Sequence, residues 1–248
     1  MVITTLLMFL VMRRIWNWSL PVAAGVTLMF FIPDIAFFFA NFTKIAVGGW
    51  FPLTVGVGLF TLMTTWKRGR EILAERLKGQ TLPMDIFLQD VGANPPMRVS
   101  GTAVFMTGAS AGVPAALLHN IKHNKVVHDR VVLLTITTED VPTMRGQDRL
   151  EIAELGQGFW RVIARYGFME NPRIRDVLAG CHAKGLELPL PQTSFFLGRE
   201  TLIPSRKAGM AIWREALFAW MSRNARSATA YFGIPPNRVV ELGAQIEL

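Results

Sequence analysis

The chain has 248 residues, 51% of which are apolar, and its 26 basic and 18 acidic side chains give a net charge of +8. A composition this apolar is unusual for a soluble protein. The chain is basic, but it lacks the zinc-ligand spacing and the long Lys/Arg runs that favour nucleic-acid binding. The single cysteine, Cys181, excludes an intrachain disulfide and cannot by itself form a cysteine-type metal site.

Charge is distributed very unevenly along the chain. The first 66 residues contain only four charged side chains, namely Arg13, Arg14, Asp34 and Lys44. The split predicts a transmembrane region over 1–70, a linker over 71–97 and a water-facing domain over 98–248. Because Arg13 and Arg14 follow the first apolar run instead of preceding it, we do not expect the amino terminus to act as a signal peptide.

The first apolar run covers residues 1–12. A helix of this length spans about 18 Å at about 1.5 Å per residue, whereas crossing the hydrocarbon core takes about 20 residues. We therefore expect a partial helix, the later part of a span that begins before this chain. The alternative is a re-entrant or interfacial segment.

The second apolar run, residues 18–40, is long enough to span a membrane and contains Pro33 and Asp34. A carboxylate inside a membrane is costly, and by default it marks a functional site. Asp34 lies in the last third of the run, so it could instead cap the helix or reach towards the outer surface. Both interpretations of Asp34 remain open, and it is the only candidate site residue in the membrane region.

The third apolar run, residues 50–66, has tryptophans at both ends, as suits the two membrane interfaces. Lys67, Arg68 and Arg70 follow it directly. Because positive charge is enriched on the cytoplasmic side, the sequence predicts a helical hairpin with a cytoplasmic carboxyl-terminal domain.

The cytoplasmic domain is predicted to mix strands and helices, in an α/β or α+β arrangement. A near-continuous apolar run at 130–137 is typical of a buried strand, and a helix-spaced apolar set at 172–184 ends before Gly185. The other predicted strands are 102–106, 150–155, 159–166, 195–197 and 239–248, and the other helices are 114–123 and 209–226.

The predicted helix over 209–226 carries Trp213 and Trp220 on one face, with Ala216, Leu217 and Met221. We expect this tryptophan face to pack in the domain core. The alternative is a helix lying on the membrane surface with arginines towards the headgroups, namely Arg214, Arg223 and Arg226.

Three patterns suggest other chemistry. Residues 108–112 match the G-x-S-x-G turn of hydrolases, which would make Ser110 a nucleophile followed in order by Asp140 and His182. The same glycines suggest a nucleotide loop, although Pro114 stands where a third glycine is expected. His119 and His123 share a helix face with His128 nearby in sequence, but no H-E-x-x-H carboxylate lies between them.

Six blocks resemble one family in order along the chain. They are DIAFFFAN at 34–41, GGWFPL at 48–53, FTLMTTWKRGR at 60–70, GTAVFMT at 101–107, VPAALLHNIKHNKV at 113–126 and SFFLGRE at 194–200. Together they resemble the last transmembrane helices and the cytoplasmic domain of Kup/HAK/KT potassium transporters.

The resemblance implies a multi-pass cell-membrane transporter, not an enzyme, that imports K⁺ together with H⁺ and is built on inverted repeats. The family's ion site lies in earlier helices, so no catalytic, cofactor-binding or metal residue is carried over to this sequence. K⁺ and H⁺ are transported ions rather than cofactors. The implied partners are membrane lipid, the remaining transporter helices and a second copy in a homodimer, with no nucleic acid. A membrane-anchored nucleotide-sensing module and a Ser110-dependent hydrolase are the alternatives.

Overall fold

The computed structural model of the chain describes residues 1–42, 44–78, 82–108, 112–203, 205 and 209–247. The chain divides into two compact units, Met1–Thr64 and Thr65–Leu248. The predicted fold class is confirmed, since the amino-terminal part is helical and apolar and the carboxyl-terminal part contains a sheet flanked by helices.

The first unit consists of helix α1 (Val2–Arg14), helix α2 (Leu20–Phe42), a π-helical turn (Ile45–Gly49) and the first half of helix α3 (Trp50–Lys78). Two helical stretches are long and apolar enough to cross a membrane, Leu20–Phe42 and Ile45–Leu77. Their large apolar side chains are exposed, including phenylalanines at 30, 37, 39 and 60. Such surfaces need lipid or other helices to cover them.

A tight turn makes α1 and α2 neighbours. The Arg13 guanidinium donates to the Trp18 carbonyl at 2.5 Å, and the Trp16 and Trp18 rings lie 5.4 Å apart. Near this turn Met12 of α1 and Ala23 of α2 are both buried. The short connection and the small Ala23 side chain allow the two helices to pack closely.

The second unit is built on one six-stranded sheet in the order β3-β4-β2-β1-β5-β6. All neighbouring pairs are parallel except β3 and β4, which form an antiparallel pair at one edge. The strands are β1 (Met97–Thr107), β2 (Val126–Glu139), β3 (Leu150–Gly156), β4 (Phe159–Gly167), β5 (Thr193–Ile203) and β6 (Val239–Glu247). Each predicted strand coincides with one of them.

Helices cover both faces of the sheet. Those packed on the sheet are α4 (Met84–Ala93), α5 (Ala115–Asn124) and α6 (Ile174–Ala183), and the chain continues to α7 (Ile212–Arg223) and the short α8 (Ala228–Phe232), whose Phe232 packs on the α6 side. Side chains alternate between the faces along each strand. Val104 and Val132 therefore join α6 in one apolar cluster, and Phe105 and Val131 join α4 and α5 in the other. Burial on both faces explains why the central strands are almost continuously apolar.

Helix α4 lies inside the segment predicted as a linker. Its apolar side chains Met84, Phe87 and Val91 are buried against the sheet, and the Phe87 and Phe159 rings meet edge to face at 5.4 Å. Residues Met84–Ala93 thus belong to the core of the second unit.

Phe105 lies at the centre of the sheet, and replacing it with alanine is expected to cost about 3–5 kcal/mol of unfolding free energy. Its side chain is 1% exposed, and its ring stacks on Phe196 at 4.7 Å. Urea unfolding of the chain in detergent micelles, followed by circular dichroism, measures the loss. The matched control Phe168→Ala removes a ring that is 60% exposed and should change stability by less than about 0.5 kcal/mol. Equal effects of the two changes would contradict this placement of Phe105.

The expectation that Trp213 and Trp220 pack in the core is wrong. The two side chains are 60% and 57% exposed, whereas Glu215, Phe218 and Ala219 are buried. Apolar residues surround most of α7, so periodicity alone did not identify the buried stripe. The stripe centred on Phe218 is buried because that ring fits against α3.

Candidate functional site

Asp34 is the one acidic side chain of the first unit, and it is buried at 7% exposure. Its Oδ2 atom accepts a hydrogen bond from the hydroxyl of Thr5 in α1 at 2.5 Å. The contact joins positions 29 residues apart, so it depends on the packing of α1 against α2.

The position of Asp34 on α2 explains its burial. The described side chains of α2 are exposed or half-exposed except for Ala23 and Asp34, which both face α1. Pro33 precedes the carboxylate and has no N–H to donate back along the helix. Transmembrane helices tolerate such a proline where neighbouring groups can satisfy the freed carbonyl.

An open groove lies beside the carboxylate. Its volume is about 490 Å³, and Asp34 is the one charged side chain along it. The other lining residues are mainly apolar: Met1, Val2, Ile3, Ile35, Phe37, Phe38 and Asn41. A carboxylate in such a setting can hold a cation or take up a proton, since either event removes an uncompensated charge from a low-dielectric region.

The contacts of Asp34 describe its place between two helices. Helix α2 continues to Phe42, two turns beyond Asp34, so the carboxylate does not cap the helix end. Its hydrogen bond to Thr5 holds it against α1 rather than leaving it to extend along the lipid-facing surface. Asp34 is therefore a buried polar contact between two helices.

Sequence reasoning identified Asp34 but missed Thr5. The available signal was weak, because Thr4 and Thr5 are the only hydroxyl residues in the apolar run 1–12. Threonine is compatible with a transmembrane helix, since its hydroxyl can bond to the helix's own backbone. Only the packed pair of helices shows that Thr5 bonds across to a carboxylate instead.

The histidines considered as metal ligands, His119, His123 and His128, do not form a common site. The exposed rings of His119 and His123 stack in α5 with centroids 5.9 Å apart. His128 lies in β2 against the Phe196 ring, where burial lowers its pKa despite the opposing charge of Asp129. In the part of the chain that the structure describes, no three His, Cys, Asp or Glu side chains are grouped as metal ligands.

The turn predicted as a nucleophile elbow or nucleotide loop lies between β1, which ends at Thr107, and α5, which begins at Ala115. This β1–α5–β2 unit joins two parallel strands. Ser110 itself, with residues 109 and 111, lies outside the described residues. His182 and Asp140 are exposed.

Cys181 is expected to be almost unreactive towards thiol reagents at pH 8 while the chain is folded. Burial in the α6 core raises its thiol pKa from 9.0 to about 11. This shift lowers the thiolate fraction about 100-fold. The raised pKa favours the folded state below pH 9, and that contribution disappears as the pH rises towards 11.

The reactivity of Cys181 is measured by the rate of labelling in native buffer and in urea. A Phe168→Cys variant supplies an exposed thiol as the control, because Phe168 is 60% exposed. Labelling of native Cys181 as fast as the residue 168 thiol would contradict its burial.

Comparison with known proteins covers both units. A family model described as "K+ potassium transporter integral membrane domain" matches residues 1–71. A second model, described as "K+ potassium transporter C-terminal domain", matches residues 100–248. The two matches follow one another in the order expected for a single transporter.

Curated relatives match the entire chain. It is 61% identical over 248 residues to the "Probable potassium transport system protein Kup" of Myxococcus xanthus, of which it covers 38%. It is 56% identical to "Probable potassium transport system protein Kup 2" of Chromobacterium violaceum and covers 40% of that protein. The chain thus spans about two fifths of the length of these relatives. No solved structure matches it.

Proposed function

This chain belongs to the Kup/HAK/KT family of potassium transporters, and on that premise we propose that it is the carboxyl-terminal part of a transporter importing K⁺ across the cell membrane. The observation that carries the proposal is the pair of family matches, which cover the integral membrane domain and the C-terminal domain in order. The exposed apolar surfaces of α2 and α3 support it, because they are suited to lipid and to the remaining helices of the longer protein.

The proposed topology is multi-pass with a cytoplasmic second unit. Its support is the cluster Lys67, Arg68 and Arg70, which follows the apolar half of α3. Arg13 and Arg14 at the end of α1 then lie on the same side, and Lys44 between α2 and α3 lies outside. This arrangement places Asp34 at membrane depth, towards the outer side.

In the proposed mechanism, the Asp34 carboxylate takes up and releases the coupled proton at membrane depth. K⁺ passes through helices of the longer protein, and an accompanying H⁺ drives the import. A carboxylate held between two helices by one hydroxyl donor offers an oxygen to such a proton. No cofactor is needed, since both ions are cargo.

The uptake test uses the full-length reading frame that contains this chain. Expressed in cells lacking their own K⁺ importers, it should restore growth and ⁸⁶Rb⁺ uptake at low external K⁺. A protonophore should slow the uptake when the membrane potential is clamped, if H⁺ is the coupling ion. Failure of well-expressed full-length protein to restore uptake would refute the proposal. Uptake insensitive to the proton gradient would refute the coupling alone.

We propose assembly or regulation as the task of the cytoplasmic unit, with a second copy as one partner. Strand β6 forms one edge of the sheet, and its parallel pairing with β5 extends to Ile203. A strand edge can pair with another chain. Light scattering of the purified transporter should give the mass of a dimer, and a monomeric mass would refute the dimer.

A further inference from the structure

Helix α7 has one buried face and one exposed apolar face. Trp213 and Trp220 lie seven residues apart and share the exposed face with Ala216, while Leu217 is partly exposed beside them. Ile212 at the start of the helix is also 56% exposed. A monomeric soluble domain rarely leaves two tryptophans of one helix face in water. We therefore expect another molecule to cover this face.

The buried face of α7 packs against the lower half of α3. The Phe218 ring meets the Trp66 ring edge to face with centroids 5.5 Å apart, and it lies directly over Gly69. The Nε atom of Arg214 donates to the hydroxyl of Thr65, which is fully buried, at 3.0 Å. All of these residues belong to the second compact unit.

These contacts fix the level of α7 along α3. Thr65 and Trp66 are the last uncharged residues before the basic cluster that begins at Lys67. Contacts from Thr65 to Gly69 span about 6 Å of helix at about 1.5 Å per residue. The polar layer on each side of the hydrocarbon core is about 5–8 Å thick. On the membrane placement of α3 proposed above, these contacts hold α7 at the depth where α3 leaves the hydrocarbon.

We propose that α7 lies in the headgroup layer of the cytoplasmic leaflet, with Trp213 and Trp220 inserted at the boundary between headgroups and acyl chains. Tryptophan is enriched at this depth because its ring is apolar and its indole N–H can bond to polar groups. The proposal rests on the membrane placement of α3 proposed above. It adds a second lipid contact to the chain, made by the carboxyl-terminal domain.

The charges around α7 favour lipid as the occupant of the tryptophan face. Arg223 and Arg226 are exposed at and just beyond its carboxyl-terminal end, and they suit anionic headgroups. Glu215 is the one acidic residue of α7, and it is turned away at 1% exposure, where it accepts the Ser205 N–H at 3.1 Å. An apolar face with basic flanks is the pattern of helices that lie on membranes.

The test measures depth with spin labels on the 248-residue chain in vesicles of phosphatidylcholine and phosphatidylglycerol. Single cysteines replace Trp213, Trp220, Val57 or Met169 in turn; buried Cys181 stays unlabelled. Val57 is 67% exposed within the span of α3, and Met169 is 72% exposed after β4. Power saturation then compares the collision rates of each label with O₂, which concentrates in lipid, and with a water-soluble nickel chelate.

The proposal expects O₂-to-nickel ratios at residues 213 and 220 several-fold above that at residue 169 and below that at residue 57. Water-like ratios at 213 and 220, with a lipid-like ratio at 57, would overturn the proposal and leave the transmembrane placement standing. Labels at 213 and 220 that neither reagent reaches would also overturn it, because the face would then be covered by protein. A water-like ratio at 57 would refute the membrane placement itself.

Discussion

Replacing Asp34 with asparagine is expected to lower the initial rate of K⁺ uptake by the full-length transporter at least about ten-fold, which corresponds to about 1.4 kcal/mol. Asparagine has nearly the same shape and can still accept the Thr5 hydrogen bond, so the packing of α1 on α2 should be preserved. What it loses is the charge that can balance a cation or take up a proton at membrane depth. The measurement is ⁸⁶Rb⁺ uptake, normalised to the amount of transporter in the membrane.

Two control variants separate charge from packing at this site. Thr5→Val removes the hydroxyl but leaves the carboxylate, so it should reduce uptake less than Asp34→Asn does. Asp34→Glu keeps the charge and should retain part of the activity. Wild-type uptake by an Asp34→Asn protein present at normal levels would show that the carboxylate has a purely structural role.

Replacing Gly69 with alanine is expected to separate α7 from α3. An added Cβ at Gly69 would overlap the Phe218 ring, and the backbone around both residues is helical, so neither can move aside easily. Overpacking of this kind costs about 1–3 kcal/mol. Thermal unfolding of the chain in detergent should show a lower midpoint. Cleavage by protease near residues 209–226 should be faster.

The matched control for Gly69→Ala is Gly58→Ala in the same helix. A Cβ at Gly58 meets nothing within 4 Å, so this change should be neutral or slightly stabilising through helix propensity. A double-mutant cycle identifies the cause. Phe218→Ala alone destabilises by opening a cavity, but combined with Gly69→Ala it should recover most of the overpacking cost. Additive losses in the double variant would rule out a direct conflict between these two positions.

The local pattern of apolar residues in the sequence predicted most of the helices and strands. The strands and helices of the second unit follow from runs of apolar residues and from breakers such as Gly185, and all of the predicted strands are present. The two long helices follow from uninterrupted apolar sequence. These features depend on neighbours in sequence, because hydrogen bonding within a helix and alternation along a strand act over a few residues.

Contacts between positions that are distant along the chain could not be predicted from the sequence. In α7 the residues from 216 to 221 are all apolar, so more than one stripe could have been buried. Gly69 on α3 provides the space for Phe218 and thereby leaves Trp213 and Trp220 exposed.

The features of the candidate site also divide into those that the sequence determined and those that only the structure shows. The sequence by itself determined that Asp34 is a costly charge in an apolar helix, because that cost depends on the composition of the surrounding segment. Only the tertiary structure decided that Asp34 faces α1 and bonds to Thr5. The reason is geometric, because the rotation of a helix about its axis is set by which side chains fit its neighbour. On α1 and α2 the buried residues include Met12 and Ala23, and the sequence of one helix alone does not specify that fit.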